Sequence, residues 1–235
     1  MSQESRKNKA TQRMAKEKQK KMNKKLCAIV ASIAVVVILA VVIVSCVNKD
    51  PVIDEDKYPV ATMEIKDYGT VKITLYPNDA PNTVRNFISL ANSGYYDGQK
   101  ILRISDGFCV QFGSPDGTMS GGPGYTIDGE FTGNGFTQNT IKQEEGVISM
   151  ARTNDPDSAG SQFFFCMGKH LSALEGKYAA FGKVTEGFDI IKKVASAEHD
   201  NSVGSGDGVP YDDIIVMSIK VDTKGVNYKA PKVNK

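Results

Sequence analysis

Thr70-Val-Lys-Ile-Thr-Leu-Tyr76 alternates apolar and polar side chains, so Val71, Ile73 and Leu75 share one face. Successive strand residues point to opposite faces, and a period of two marks a half-buried strand. Ile215, Met217, Ile219 and Val221 repeat the pattern near the end of the chain. Between them, apolar runs fall near 61–66, 100–104, 108–112, 147–150, 162–166 and 178–184, which makes about eight strands.

Two other segments have helical spacing. Pro81 suits an opening turn, and Val84, Phe87, Ile88 and Ala91 follow before Gly94. The second runs from about Gly187 to Ala197, where Ile190 pairs with Val194 and Ile191 with Ala195. The stretch 113–146 holds nine glycines and no period; so long a loop in a compact domain is usually functional. Eight strands without βαβ alternation point to a mainly β protein. The expected architecture is a closed eight-stranded antiparallel barrel, which leaves no exposed edge, with the two α-helices capping its ends.

The 235 residues carry a net charge of +2, unevenly distributed. Residues 1–25 hold ten Lys and Arg against two acids, whereas the rest holds 19 basic and 25 acidic side chains. Leu26 to Val47 follows the basic tail with twenty-two uncharged residues. At about 1.5 Å per residue a helix of that length spans roughly 30 Å, the thickness of a bilayer's hydrocarbon core. The expectation is one N-terminal transmembrane helix, 26–47, with the basic tail 1–25 cytoplasmic and the remainder outside. A lipoprotein signal is the rival reading, because Ile43-Val44-Ser45-Cys46 resembles a box that ends on a lipidated cysteine. An uncleaved anchor is favoured, since a signal peptide's apolar core is shorter. Residues 48–59 then form a linker, 60–223 the folded domain and 224–235 a tail. The basic tail lacks interleaved aromatics and suits anionic headgroups or topology, so no nucleic-acid partner is expected.

Familiar catalytic sets are missing. The chain has two histidines, His170 and His199, and no GxSxG, HExxH or metal-spaced Cys/His cluster. Cys27 and Cys46 lie in the apolar span, and Cys109 and Cys166 in apolar strands without CxxC spacing. No metal or cofactor is expected. What stands out instead is polar residues set into apolar strands: Arg103 between Leu102 and Ile104, Gln111 between Val110 and Phe112, and Gln162 ahead of three phenylalanines. With Phe108 and Phe164 they suggest an apolar pocket edged by fixed donors.

Leu102-Arg-Ile-Ser-Asp-Gly-Phe-Cys-Val-Gln111 resembles a motif of the cyclophilins, in which Arg and Gln stand eight apart around a Phe. Gly146 to Arg152 and Gly160 to Phe165 resemble the family's second signature, and Ala80–Phe87 and Ala180–Val184 its first helix and a late strand. The resemblance covers about 60 to 222. It implies a prolyl isomerase on an eight-stranded barrel, acting on proline-containing polypeptides without a cofactor. By resemblance Arg103 is the catalytic arginine, and Phe108, Cys109, Phe164 and Leu174 line the proline pocket. Gln111, Ala151, Arg152 and Gln162 would hold the substrate backbone, with Tyr178 at the pocket's edge.

Some positions depart from the eukaryotic pattern: Cys109 replaces a Met, Arg152 an Asn and Tyr178 a His, and Ala173 stands where many members have Trp. Catalysis is expected to survive these changes, whereas strong cyclosporin binding is not. The resulting expectation is a monomeric, membrane-anchored isomerase that assists folding of extracytoplasmic proteins. The alternative is a binding module or chaperone that grips proline segments without turnover. A signalling role through residues 1–25 is disfavoured, because that tail offers no folded partner domain.

Overall fold

The computed structural model describes residues 51–234 continuously and eight isolated positions between 14 and 37. The chain divides into two units, Met1–Pro51 and Val52–Lys235. In the first, the described residues between 14 and 37, among them Met14, Lys20 and Val36, are helical. The expected span 26–47 lies outside the described residues except at Ala34, Val36 and Val37, as does Cys46. Among the described residues no helix is long and apolar enough to cross a membrane.

The second unit is built on one antiparallel sheet. Its strands are β1 (Val60–Ile65), β2 (Gly69–Leu75), β3 (Arg103–Ser105), β4 (Cys109–Phe112), β5 (Val147–Met150), β6 (Phe163–Cys166), β7 (Ala180–Glu186), β8 (Asp207–Gly208) and β9 (Val216–Asp222). They are ordered β8-β3-β4-β6-β5-β7-β2-β1-β9. All eight expected strands are present, and the two-residue β8 makes a ninth. The expected closed eight-stranded barrel is corrected accordingly: the named ladders form a curled, nine-stranded half-barrel. Short β8 occupies one side of β3, so the ladder ends there. The segment just before β3 instead meets the approach to β9, with Ile101 N donating to Ile214 O at 2.9 Å and Val216 N to Gln99 O at 2.8 Å.

Alternation decides which side chains enter the core. Met63, Ile65, Val71, Ile73 and Leu75 are fully buried, as the period of two requires. In the run Phe163-Phe164-Phe165, the outer two join the main core and Phe164 joins a smaller cluster that includes Cys109 and Leu174. Both helices are present, α1 at Pro81–Asn92 and α2 at Phe188–Ala195. Phe87 of α1 meets the rings of Phe163 and Phe181 at 5.2 Å, so the helix plugs the curl with an aromatic cluster. Removing that ring would cost about 3–5 kcal/mol.

Ala80 offers α1 no side-chain cap. The acceptor comes from the glycine-rich loop: Glu130 takes the Asn82 and Thr83 backbone N–H groups at 2.9 and 2.8 Å. The loop is thereby fastened to the helix N-terminus, where a carboxylate is electrostatically favoured. The tail beyond 223 is fastened too, through Lys232 to Asn82 and Asn234 to Thr126.

Candidate active site

The site follows from strand register. Arg103 on β3 stands opposite Gln111 on β4, and Gln111 stands opposite Phe164 on β6. Two residues along, Ser105 pairs with Cys109, and Cys109 with Cys166. These residues share one face of the sheet, while Ile104, Val110 and Phe165 take the other and are fully buried in the core. Sequence positions far apart thus form two adjacent rows of a single surface.

That surface opens into a cavity of about 750 Å³. All ten residues expected at the site line it: Arg103, Phe108, Cys109, Gln111, Ala151, Arg152, Gln162, Phe164, Leu174 and Tyr178. Tyr178 stands edge-on to Phe164, with ring centroids 5.8 Å apart, and Leu174 comes from the short 3-10 turn Ser172–Leu174. An aromatic and aliphatic wall therefore faces a polar rim.

The rim is a chain of hydrogen bonds. Arg103 Nη1 donates to Gln111 Oε1 at 3.5 Å, and Gln111 Nε2 donates to Gln162 Oε1 at 2.7 Å. Gln162 Nε2 donates in turn to the carbonyls of Met119 and Gly121 at 3.0 and 2.8 Å. The Gln162 amide, which lines the cavity, thereby also ties the glycine-rich loop to the sheet. Gly113 allows this close approach: with φ of +90°, it lies where a Cβ would meet Ser161 O at 2.4 Å.

Arg152 is likewise engaged within the protein. Its guanidinium sits 4.7 Å from the Tyr178 ring centre and 5.1 Å from that of Phe131, and Nε donates to Lys177 O at 2.8 Å. Ala151, which lines the cavity, donates its backbone N–H to Gln162 O at 2.9 Å. The two cysteines beside the site are not suited to acid–base work. Burial pushes the Cys109 thiol up to about 11, although Arg103 opposes the shift, and burial pushes Cys166 up to about 12. Both thiols stay protonated at neutral pH, as inert buried cysteines do.

Sequence reasoning missed Asp207, whose carboxylate grips Arg103 from behind. Arg103 Nε donates to Oδ1 at 2.6 Å and Nη2 to Oδ2 at 2.5 Å. The hydrogen-bonded pair holds the Arg103 pKa above its usual value and the Asp207 pKa below the usual carboxylate range. The stretch 119–126 and Asn234 also line the cavity. Glycine density had marked the first as a functional loop, but no local signal marked Asn234 or Asp207.

The site is thus a guanidinium, fixed by Asp207, at the rim of an apolar cleft. Residues 60–221 match the family described as cyclophilin type peptidyl-prolyl cis-trans isomerase/CLD, and the chain belongs to that family. Among its relatives, peptidyl-prolyl cis-trans isomerase B of Bacillus subtilis is 42% identical over 134 residues, 57% of this chain and 89% of the relative. A Helicobacter pylori peptidyl-prolyl cis-trans isomerase is 37% identical over 161 residues, 62% of this chain and 94% of the relative. The fold also matches a cyclophilin type isomerase of Cryptosporidium parvum, crystallised in the presence of the dipeptide Ala-Pro. That match has a TM-score of 0.61 at 30% identity, covering 69% of this chain and 98% of the other.

Proposed function

We propose that this isomerase is tethered by residues 26–47 to a membrane and works on its outer face, speeding Xaa-Pro rotation in polypeptides that fold there. Support for the placement is the basic tail followed by twenty-two uncharged residues. The observation that carries the catalytic reading is Arg103 Nη1 turned toward Gln111 on the rim of the Phe164-walled cavity.

Partial double-bond character gives a peptide bond a rotation barrier of about 18–20 kcal/mol. An Xaa-Pro bond populates both isomers, which exchange in roughly tens to hundreds of seconds. At the twisted midpoint the nitrogen lone pair is localised and becomes a hydrogen-bond acceptor. In this reading Arg103 donates to that nitrogen, a bond available only in the twisted state and therefore catalytic. Phe108, Cys109, Phe164 and Leu174 seat the proline ring and Tyr178 borders it. Gln111 and the backbone of Ala151 and Arg152 steady the flanking chain, while Gln162 fixes the loop that edges the cleft. Lowering the barrier by about 6–7 kcal/mol would accelerate rotation some 10⁵-fold. No proton moves and no covalent bond breaks.

Exchange spectroscopy on an Ala-Pro tetrapeptide with catalytic amounts of the full chain tests the activity. Cis/trans exchange peaks are expected; binding shifts without exchange would instead favour the proline-binding module. Mass spectrometry of the mature N-terminus tests the tether: a Met1-side peptide is expected, and a diacylated Cys46 start would replace the anchor with a lipoprotein.

A further inference from the structure

We propose that Asp207 is a positioning residue for Arg103, holding the Nε/Nη2 edge of the guanidinium so that the Nη1 edge faces Gln111 and the cleft. The inference rests on the reading of Arg103 as the group that stabilises the twisted amide. An arginine side chain has many rotamers, and a donor acts on a transient acceptor only while it is aimed at it. The two-point grip on Asp207 leaves the guanidinium little rotation, because both partners are largely enclosed, with side chains 19% and 17% exposed. Ser105 Oγ adds a third bond, donating to Asp207 Oδ2 at 3.1 Å.

The surrounding segment is built to present this carboxylate. Asp207 stands opposite Ser105 and Gly208 opposite Ile104, which fixes β8 against β3. Asp106 N donates to Gly206 O at 2.9 Å, and Gly206 N to Asn201 Oδ1 at 2.8 Å. Asp200 Oδ1 accepts from Val209 N at 2.8 Å, closing the segment from its other side. Gly208 has no room for a side chain, since a Cβ would meet Asp200 O at 2.1 Å. β8 is two residues long and adds little to the core; what it brings to the site is the Asp207 side chain.

The arrangement has a chemical cost that sharpens the test. A carboxylate on the guanidinium offsets its positive charge and weakens it as a donor, so a merely electrostatic role for Arg103 would improve when Asp207 is removed. If aim decides, activity falls instead. The experiment compares the full chain with Asp207→Ala, Asp207→Asn, Arg103→Ala and the double variant Arg103→Ala/Asp207→Ala. It measures kcat for a Xaa-Pro peptide, peptide affinity by titration, and thermal unfolding. Asp207→Ala is expected to lower kcat about tenfold with affinity within about twofold, as loss of orientation does. Asp207→Asn keeps one acceptor and should recover part of that loss. In the Arg103→Ala background, Asp207→Ala should change nothing further.

Equal kcat for Asp207→Ala and the unaltered chain, with Arg103→Ala slow, overturns the inference. So does an equal fold-loss in both backgrounds, which would make Asp207 merely structural. Should Asp207→Ala fail to fold, Asp207→Asn carries the test, and an unaltered kcat there overturns the proposal. If Arg103→Ala itself runs at the full rate, the catalytic reading fails rather than this extension of it.

Discussion

Gln111 Nε2 donates to Gln162 Oε1 across 2.7 Å, joining strand β4 to the residue that precedes β6, between side chains 51 residues apart. Because Gln162 also donates to the loop carbonyls at 119 and 121, this one amide couples the polar rim to the loop that edges the cleft. Replacing Gln162 with Ala removes that clamp without touching Arg103. A neutral hydrogen bond contributes about 0.5–1.5 kcal/mol net, so peptide affinity is expected to weaken about three- to tenfold. The kcat should stay within about threefold. Titration and line-shape analysis on the same peptide separate the two effects.

Glu130 is buried in the glycine-rich loop, yet caps α1 through two backbone N–H groups. Glu130→Ala leaves both donors without that acceptor and should cost about 2–3 kcal/mol in urea unfolding. Burial raises the Glu130 carboxyl above its ordinary value. A raised folded-state pKa contributes stability that is complete below the unfolded pKa and lost as pH rises through the folded one. The stability difference between the unaltered chain and Glu130→Ala is therefore expected to be largest near pH 4 or below and to shrink toward neutrality.

Asp207 titrates in the opposite sense. Its hydrogen bonds from Arg103 lower its pKa in the folded protein. A depressed pKa contributes stability that is present above the unfolded value, about 3.9, and lost as pH falls through the folded one. Unfolding of the unaltered chain and Asp207→Asn, followed across acid pH, should give a constant gap above about pH 5 that closes in stronger acid. A gap that widens in acid would contradict the paired carboxylate.

Much of the fold was legible because burial writes itself into periodicity. Val71, Ile73 and Leu75 alternate in the sequence and are all fully buried. Pro81 and the Val84/Phe87/Ile88/Ala91 spacing marked α1, which begins at Pro81. The ten site residues came from motif resemblance, and strand register explains why they meet: Arg103, Gln111 and Phe164 form one cross-strand row.

What stayed hidden was held by long-range pairing without local pattern. Gly204-Ser-Gly-Asp-Gly208 has no alternation, so neither the ninth strand nor the Asp207 grip on a residue 104 positions away could be read. The two-residue strand also changed the expected closed barrel into a nine-stranded curled sheet. The motif resemblance marks Gln162 as a substrate contact and says nothing of its bonds within the protein. Its choice of loop carbonyls as partners depends on where residues 119–121 fold back.

The central claim is that Arg103 stabilises the twisted amide, and the most direct measurement is the rate of the full-length Arg103→Ala protein in a protease-coupled Xaa-Pro assay. Removing a donor used only in the transition state costs about 10²- to 10³-fold in kcat, and that loss is predicted with peptide affinity within about threefold. Arg103→Lys should not restore the rate, since a point charge lacks the fork that Asp207 holds. An Arg103→Ala protein that folds, binds peptide and turns over at the unaltered rate would contradict the account.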